Sequence, residues 1–167
     1  MKVIHIIPSA FDYFNDIRTQ AFSLLEELHK LGVENEAITL QYGQPNRAIK
    51  KSVQSAAPVA ARNYLGNFDI SGVIKTFADF DAVHLHCPFF GAAGKILRWA
   101  KTRQSPLVIT YYRPVLMSDF FSIIILAYNW FYLARLFKLA DSVIDMRQEN
   151  LSTQDIAVKT ALVYNSL

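Results

Sequence analysis

Short apolar runs alternate along the chain with longer segments in which apolar residues recur every three or four positions. The short runs, mostly rich in Val and Ile, predict strands buried on both faces at 2–7, 37–40, 82–86, 106–111, 142–146 and 161–164. The periodic segments predict helices, because such a spacing places side chains on one helix face. The alternation of the two predicts a Rossmann-like three-layer α/β/α fold with a mostly parallel sheet.

The clearest predicted helix carries its apolar face between positions 17 and 31 and is followed by Gly32, which suits a left-handed helix end. Further helices are predicted at 47–57, 73–80, 91–103 and 118–139. Five Pro and Gly residues interrupt the pattern between 41 and 72, so irregular chain is expected after the 47–57 helix. A length of 167 residues suits a single domain over 1–167.

Composition narrows the possible classes of protein. With 52% hydrophobic and 19% charged residues, the chain can bury a large core, which excludes a disordered protein and leaves apolar surface for a partner chain or a membrane. The net charge of +3 comes without a dense basic stripe, so no nucleic-acid partner is expected. The single cysteine, Cys87, excludes an internal disulfide and favours a reducing, cytoplasmic location. The run 1–7 has one Lys and no cleavage-site pattern, so it is interpreted as a strand rather than a signal peptide.

Ligands of such sheets bind at the carboxyl ends of the strands, which points to the loops at 8–16, 86–91, 111–114 and 147–150. Polar residues lead from the first loop into a helix N-terminus, where an anion can bind; they are Ser9, Asn15, Asp16 and Arg18. Asp16 also suits the N-cap position of this helix. The loop lacks glycine, so a glycine-rich phosphate cradle is not indicated.

Two histidines, His84 and His86, lie two positions apart on a predicted strand and are therefore expected to point to the same face of the sheet. His86 stands at the carboxyl end, where a ligand would approach. Packing or hydrogen bonding inside the fold is the alternative role for both. The spacing can also serve a metal, but the sequence offers no obvious third ligand, so neither a metal nor another cofactor is expected.

Aromatic and basic residues follow the next strand as Tyr111, Tyr112 and Arg113. The Arg113 guanidinium can hold a phosphate or a carboxylate through two hydrogen bonds, and the Tyr112 hydroxyl can donate to a sugar or a phosphate. A solvated arginine beside rings that cap the core is the alternative. Arg147 opens the last of the loops at this edge.

The segment from Phe120 to Leu139 is unusually apolar, and its first fifteen residues carry no charge. A spanning helix needs about 20 such residues, so this run is too short to cross a membrane. Its aromatic residues, with Arg135 and Lys138, could instead form a peripheral membrane contact. The alternative is a long helix packed on the sheet and against another domain.

Six segments occur in a fixed order: KVIHIIPSAF, AFSLLEELHKLGVENEAITL, FDAVHLHCPF, SPLVITYYRP, FKLADSVIDM and ALVYNS. The combination resembles the N-terminal domain of GT-B glycosyltransferases of the family 4 type. The resemblance implies one half of a GT-B fold, on the acceptor side of an enzyme that transfers a hexose from a nucleotide sugar to a polysaccharide or lipid-linked acceptor. In that family a donor-binding domain with an E-x7-E motif follows the position of Asn165 and Ser166. We therefore expect the donor half on a second domain or chain.

By this resemblance His86 matches a histidine-bearing strand end and is implied, with Tyr112, in catalysis. Substrate binding is expected, from their place at the carboxyl ends of the strands, for loop and helix-end residues, namely Ser9, Asn15, Asp16, Arg18, Tyr111, Arg113 and Arg147. Three places depart from the family pattern. Asn15 and Asp16 replace a Gly-Gly pair beside the donor phosphate, Tyr112 replaces a turn histidine, and Arg147 lies near a position where serine is common.

Two functions remain open. The first is an acceptor-binding half of a glycosyltransferase that is inactive without a donor-binding half. The second is a noncatalytic, degenerate domain that acts as a partner-binding or membrane-associated scaffold, which the departures at Asn15, Asp16 and Tyr112 favour. Self-association or a partner chain is expected at exposed apolar surface, and the expected location is cytoplasmic, including the inner face of the cell membrane.

Overall fold

A computed structural model of the chain describes residues 1–8, 12–41, 60–65, 71–114, 119–147 and 151–167. The strands of these ranges are β1 (Lys2–Pro8), β2 (Glu34–Gln41), β3 (Ala60–Leu65), β4 (Ala82–Cys87), β5 (Leu107–Tyr111) and β6 (Ser142–Asp145). The helices are α1 (Asn15–Lys30), the single turn α2 (Ser71–Ile74), α3 (Ala93–Ala100), α4 (Phe120–Phe137) and α5 (Thr153–Asn165). Short 3-10 turns lie at Asp12–Phe14 and Phe77–Asp79.

The described strands form one parallel sheet in the spatial order β3-β2-β1-β4-β5-β6. The chain moves outward from β1 through β2 to β3 and starts again on the other side of β1 with β4. The strand order therefore reverses between β1 and β4. At such a switch point a parallel sheet opens a crevice at the carboxyl ends of its strands.

Side chains of the central strands alternate between two layers of helices. On one face Val3 and Ala82 pack against α1 and α5. On the other face Ile4 and Val83 pack against α3 and α4. The sheet is thus covered on both sides, and the predicted three-layer α/β/α fold is confirmed.

Helix α1 buries the face that its sequence spacing predicts, which consists of Ile17, Ala21, Leu24, Leu25 and Leu28. It is followed, as predicted, by Gly32, whose φ of +85° lies in the left-handed region. The N–H groups of Gly32 and Val33 donate to carbonyls of the last helical turn, both at 3.0 Å. The N-cap prediction for Asp16 is wrong. Phe14 occupies that position, and Asp16 lies in the first turn with its carboxylate paired to Arg113.

The strand predicted at 161–164 is wrong, because these residues belong to α5. A capping box begins this helix: the Ser152 hydroxyl accepts from the Asp155 N–H, and the Asp155 carboxylate accepts from the Ser152 N–H, both at 3.2 Å. Ala157, Thr160 and Tyr164 are then buried at helical spacing. The apolar appearance of the segment comes partly from residues such as Leu162 that the helix exposes.

The remaining differences concern the 41–72 stretch and the ends of helices. β3 lies where irregular chain was expected, and its parallel ladder with β2 satisfies backbone groups without needing a strong side-chain pattern. The helix predicted at 73–80 is α2 followed by the second 3-10 turn, and those at 91–103 and 118–139 shorten to α3 and α4. The helix predicted at 47–57 lies outside the described residues.

Candidate functional site

A cleft of about 390 Å³ opens at the carboxyl ends of β5 and β6, beside α1 and the beginning of α5. Its lining combines apolar, amide, hydroxyl and guanidinium groups and includes Ile17, Gln20, Tyr112, Arg113, Arg147 and Thr153. Three of the predicted site residues therefore meet in one place. They do so because the carboxyl ends of neighbouring parallel strands share one edge of the sheet.

Each guanidinium of the cleft is held by a carboxylate. Arg113 forms an exposed ion pair with Asp16 of α1. Arg147 donates from Nε to the Asp145 carboxylate at 2.9 and 3.1 Å, and it lies over the Tyr111 ring, 4.9 Å from the ring centre. The hydrogen bonds from Arg147 lower the pKa of the Asp145 carboxyl. Exposed pairs of this kind contribute little to stability.

A chain of buried hydrogen bonds runs inward from the cleft wall. The Tyr112 hydroxyl lies 2.8 Å from His86 Nδ1, and His86 Nε2 lies 3.0 Å from His5 Nδ1. His5 Nε2 in turn lies 3.0 Å from Asn35 Oδ1. The Asn35 amide nitrogen donates to two backbone carbonyls, so its oxygen is the acceptor that faces His5.

This arrangement determines which atom donates in each hydrogen bond between Tyr112 and Asn35. With neutral rings, His5 donates from Nε2 to Asn35 and can only accept at Nδ1. His86 therefore donates from Nε2 to His5 and accepts at Nδ1 from the Tyr112 hydroxyl. The direction of the hydrogen bond between Tyr112 and His86 is thus set by an amide on β2.

His84 joins the same buried network on the side of α5. Its Nδ1 contacts the Tyr164 hydroxyl, and its Nε2 lies 2.7 Å from the Thr110 hydroxyl oxygen. The rings of His84 and His86 stack with 4.5 Å between their centres, which confirms that they share a face of the sheet. Tyr164 makes this contact from α5, so the helical conformation of 161–164 matters for the network.

Burial determines the charge of the network. It lowers the pKa of His5 from 6.5 to about 4 and lowers the pKa values of His84 and His86 well below 6.5. Burial likewise raises the pKa values of the Tyr112 and Tyr164 hydroxyls. At pH 7 the three imidazoles are therefore neutral and both phenols are protonated.

His86 does not line the cleft. Its side chain is fully buried, and the cleft wall at this point is Tyr112, which is only 6% exposed. In this conformation His86 can act on a ligand only through the Tyr112 hydroxyl that it holds. The catalytic roles of His86 and Tyr112 stay predictions on this geometry.

His5 supplies the third imidazole that the sequence did not reveal. Ligand atoms of His5, His84 and His86 lie within 4.8 Å of one another, a grouping that could hold a metal ion. All six ring nitrogens, however, already face protein partners in the hydrogen bonds above. The geometry therefore favours the hydrogen-bonding role, which was the alternative for His84 and His86.

The other predicted binding residues are spread around this edge. Asn15 and Arg18 lie on α1 and are not among the described residues that line the cleft, whereas Tyr111 lines a second pocket. Ser9 lies outside the described residues. Gln20 and Thr153 line the cleft without having been predicted, and the capping box beside Thr153 was the one available signal for the helix that places it.

The second pocket, of about 340 Å³, lies between α4 and the ends of β4 and β5. Its lining is mostly apolar and includes Tyr111, Leu126, Trp130, Leu133 and Phe137. Arg147 lines this pocket as well as the cleft. Its side chain therefore lies where the cleft of mixed lining and the mostly apolar pocket meet.

Helix α4 packs on the sheet through one face and is apolar on the other as well. Ile125 and Leu136 are fully buried. The outer face exposes Phe120, Ile123, Ile124, Trp130 and Phe131. No helix in the described part of the chain is long and apolar enough to cross a membrane.

These features define a class of protein. A parallel sheet covered by helices on both faces, with a cleft at the carboxyl ends of its strands, is a Rossmann-like domain. The family model described as Glycosyltransferase Family 4 matches residues 17–146, which is well over half of the chain. The chain belongs to this family, as the resemblance of its segments indicated. A comparison with curated proteins finds no significant match.

Proposed function

We propose that the chain is the acceptor-binding half of a glycosyltransferase that moves a hexose from a nucleotide sugar to a polysaccharide or lipid-linked acceptor. The supporting observation is the cleft, where Arg113, Arg147 and Tyr112 converge at the carboxyl edge of the sheet. Membership of Glycosyltransferase Family 4 supports glycosyl transfer as the reaction class.

Each group of the cleft has a role that its chemistry allows. Arg113 and Arg147 bind a phosphate or a carboxylate through paired N–H donors. Gln20 and Thr153 offer amide and hydroxyl groups to the hydroxyls of a sugar. Tyr112 forms a wall of the cleft and is held there through its hydroxyl by His86. Burial raises the pKa of that hydroxyl, so it stays protonated and keeps its donor. We infer that this half positions an acceptor.

Transfer also needs stabilisation of the oxocarbenium-like transition state and of the leaving diphosphate. We assign that task to a donor-binding half on a second domain or chain. The pure chain is expected to transfer no sugar from any nucleotide sugar of a panel, and the chain with a partner captured by pull-down is expected to do so. Turnover by the pure chain would contradict the need for a second half.

In the active assembly, Arg113→Gln and Arg147→Gln are each expected to lower kcat/KM about tenfold or more, because each removes charge-assisted hydrogen bonds to the acceptor. Arg98→Gln is the matched control, since Arg98 is an exposed cation of α3 outside the cleft. Steady-state kinetics with varied acceptor provides the measurement. An equal loss in all three variants would mean that overall charge, rather than the cleft, is responsible.

The second candidate is a noncatalytic scaffold. It is favoured by the carboxylate of Asp16, which pairs with Arg113 at a place where the family brings backbone close to a donor phosphate. A carboxylate there would repel a diphosphate. An assembly that keeps its partner but transfers no sugar would support the scaffold.

We further propose that the outer face of α4 makes a peripheral membrane contact at the cytoplasmic leaflet. Trp130 and Phe131 lie on this face, and Arg135 and Lys138 follow at its end. Aromatic rings with adjacent cations suit the interface of an anionic membrane. In a flotation assay with vesicles containing anionic lipid, Trp130→Ser with Phe131→Ser is expected to abolish binding.

The matched control is Val158→Ser with Leu162→Ser, which removes an exposed apolar pair from α5. It is expected to leave flotation unchanged. Equal loss in both double variants, or no loss in either, would count against the α4 contact. Loss of partner capture with flotation intact would instead assign the face to a partner chain or to self-association.

A further inference from the structure

The pocket beside α4 has the lining and the size to hold a hydrocarbon group. Its volume of about 340 Å³ falls in the range of roughly 300–1,000 Å³ typical of small-molecule sites. The amide in its wall, Asn129, is already used by the protein, since it accepts from the Phe89 N–H at 3.1 Å and donates to the Ile125 carbonyl at 2.8 Å. A polar ligand group therefore gains little binding free energy inside the pocket. An apolar chain gains binding free energy because its surface is removed from water.

Arg147 supplies a cation at the mouth of this pocket. Its Nε and Nη2 face the Asp145 carboxylate, and no described residue accepts a hydrogen bond from Nη1. The guanidinium lies over the Tyr111 ring, which also lines the pocket. An anionic group can therefore bind at Nη1 while the chain attached to it lies against Tyr111.

The two cavities meet at this same side chain. Arg147 faces the apolar pocket on one side and, on the other, the cleft that carries the polar groups of Tyr112 and Arg113. A ligand that satisfied both cavities would carry an apolar tail, a negative charge next to it, and a polar group beyond the charge. That order of groups is the order in a sugar carried on a lipid phosphate.

We propose that the acceptor is an anionic amphiphile, a phosphate or diphosphate ester of a single apolar chain, with its chain in the α4 pocket and its phosphate at Arg147. This assignment rests on the proposed acceptor-binding function and selects its lipid-linked form. A polysaccharide acceptor would use the cleft and have no use for the pocket. Trp130, which is 82% exposed at the pocket edge, would cover the chain where it leaves the pocket.

Direct binding to the pure chain tests this assignment without any transfer reaction. By calorimetry below the critical micelle concentration, dodecyl phosphate is expected to bind, and a neutral dodecyl polyoxyethylene ether is expected to bind more weakly. Arg147→Gln is expected to weaken dodecyl phosphate about tenfold and the neutral ether less than about threefold, because only the phosphate meets the guanidinium. An excess of inorganic phosphate is expected to compete poorly, since it lacks the chain.

Two exposed alanines of α4 provide a matched pair of blocking variants. Ala134 lines the pocket, whereas Ala127 lies on the same outer face away from it. Ala134→Trp is expected to reduce dodecyl phosphate binding about tenfold or more, and Ala127→Trp is expected to leave it within about twofold, with both variants checked for folding by circular dichroism. Equal effects of the two variants would show adsorption to the helix face and overturn the pocket assignment. Absence of amphiphile binding to a chain that transfers sugar in its assembly would reject the lipid acceptor and leave the transferase function standing.

Discussion

Replacing Tyr112 with alanine is expected to lower the free energy of unfolding by about 3–5 kcal/mol, as for other large aromatic truncations in a core. The Tyr112 ring packs with Phe14, Ile17 and Ile125, which tie α1 and α4 to the end of β5. Alanine would leave a cavity among them and would also remove the donor to His86. Urea unfolding of the pure chain, followed by circular dichroism at pH 7.5, measures the loss.

Tyr112→Phe separates the hydroxyl from the ring. It keeps the packing but leaves the buried His86 Nδ1 without its donor, which is expected to cost about 1–3 kcal/mol. The matched control is Tyr13→Phe, because Tyr13 packs at the same cluster and its hydroxyl contacts Asp119 near the surface. That change is expected to stay within about 0.5 kcal/mol. If Tyr112→Phe proved as stable as the unchanged protein, the hydrogen bond to His86 would contribute nothing to the free energy of unfolding. The hydrogen-bond network behind the cleft wall would then be wrong.

The buried network contains residues that the sequence predicts and one that it does not. The strands could be predicted because a parallel sheet covered on both faces produces continuous apolar runs. The pairing of His84 with His86 followed from the two-residue period of a strand. His5 could not be found in this way, because a single histidine in an apolar strand gives no local signal. Its place beside His84 depends on the parallel register that sets Cα of His5 against Cα of His84.

The 161–164 segment was predicted wrongly for the opposite reason. A local signal for a helix was present, but the apolar run favoured a strand. Ser152 and Asp155 stand at capping-box spacing, which indicates the start of a helix. The apolar residues at 161–164 nevertheless resembled a buried strand, and length alone does not separate a short strand from part of a helix. The error mattered for the site, because α5 carries both Thr153 to the cleft and Tyr164 to His84.

Among the cleft residues, those that follow strands were predictable and those that lie on helices were less so. Tyr112, Arg113 and Arg147 follow β5 and β6, so the rule for parallel sheets predicts them together. Which of two cavities each residue lines depends on how α4 and α5 pack. Tyr111 and Tyr112 are neighbours in sequence, yet alternation along the chain sends one to the apolar pocket and the other to the cleft.

Lowering the pH from 7.5 to about 4 is expected to destabilise the fold by several kcal/mol, because three histidines are buried in neutral form. Above about pH 7 they are neutral in both the folded and the unfolded chain and have no effect on pH dependence. Below 6.5 the unfolded chain takes up protons that the folded chain does not, so stability falls as the pH falls. For His5, whose pKa is about 4 in the fold, the loss amounts to about 3 kcal/mol by pH 4 and then levels off. His84 and His86 add losses of the same sign, since burial also lowers their pKa values.

The range from pH 7.5 to 4.5 separates the effect of the histidines on stability from that of the carboxyl groups. The pKa values of Asp141 and Asp145 are lowered from 3.8, so their contributions are lost mainly below about pH 4. Urea unfolding at pH 7.5, 6.5, 5.5 and 4.5 therefore measures chiefly the imidazoles. His29→Gln is the matched control, because His29 is the exposed fourth histidine, on α1 and outside the buried network, and the loss of stability at low pH is expected to persist in this variant. A flat profile between pH 7.5 and 4.5 would mean that the three imidazoles accept protons without unfolding. That result would contradict a network in which all six ring nitrogens are engaged in hydrogen bonds.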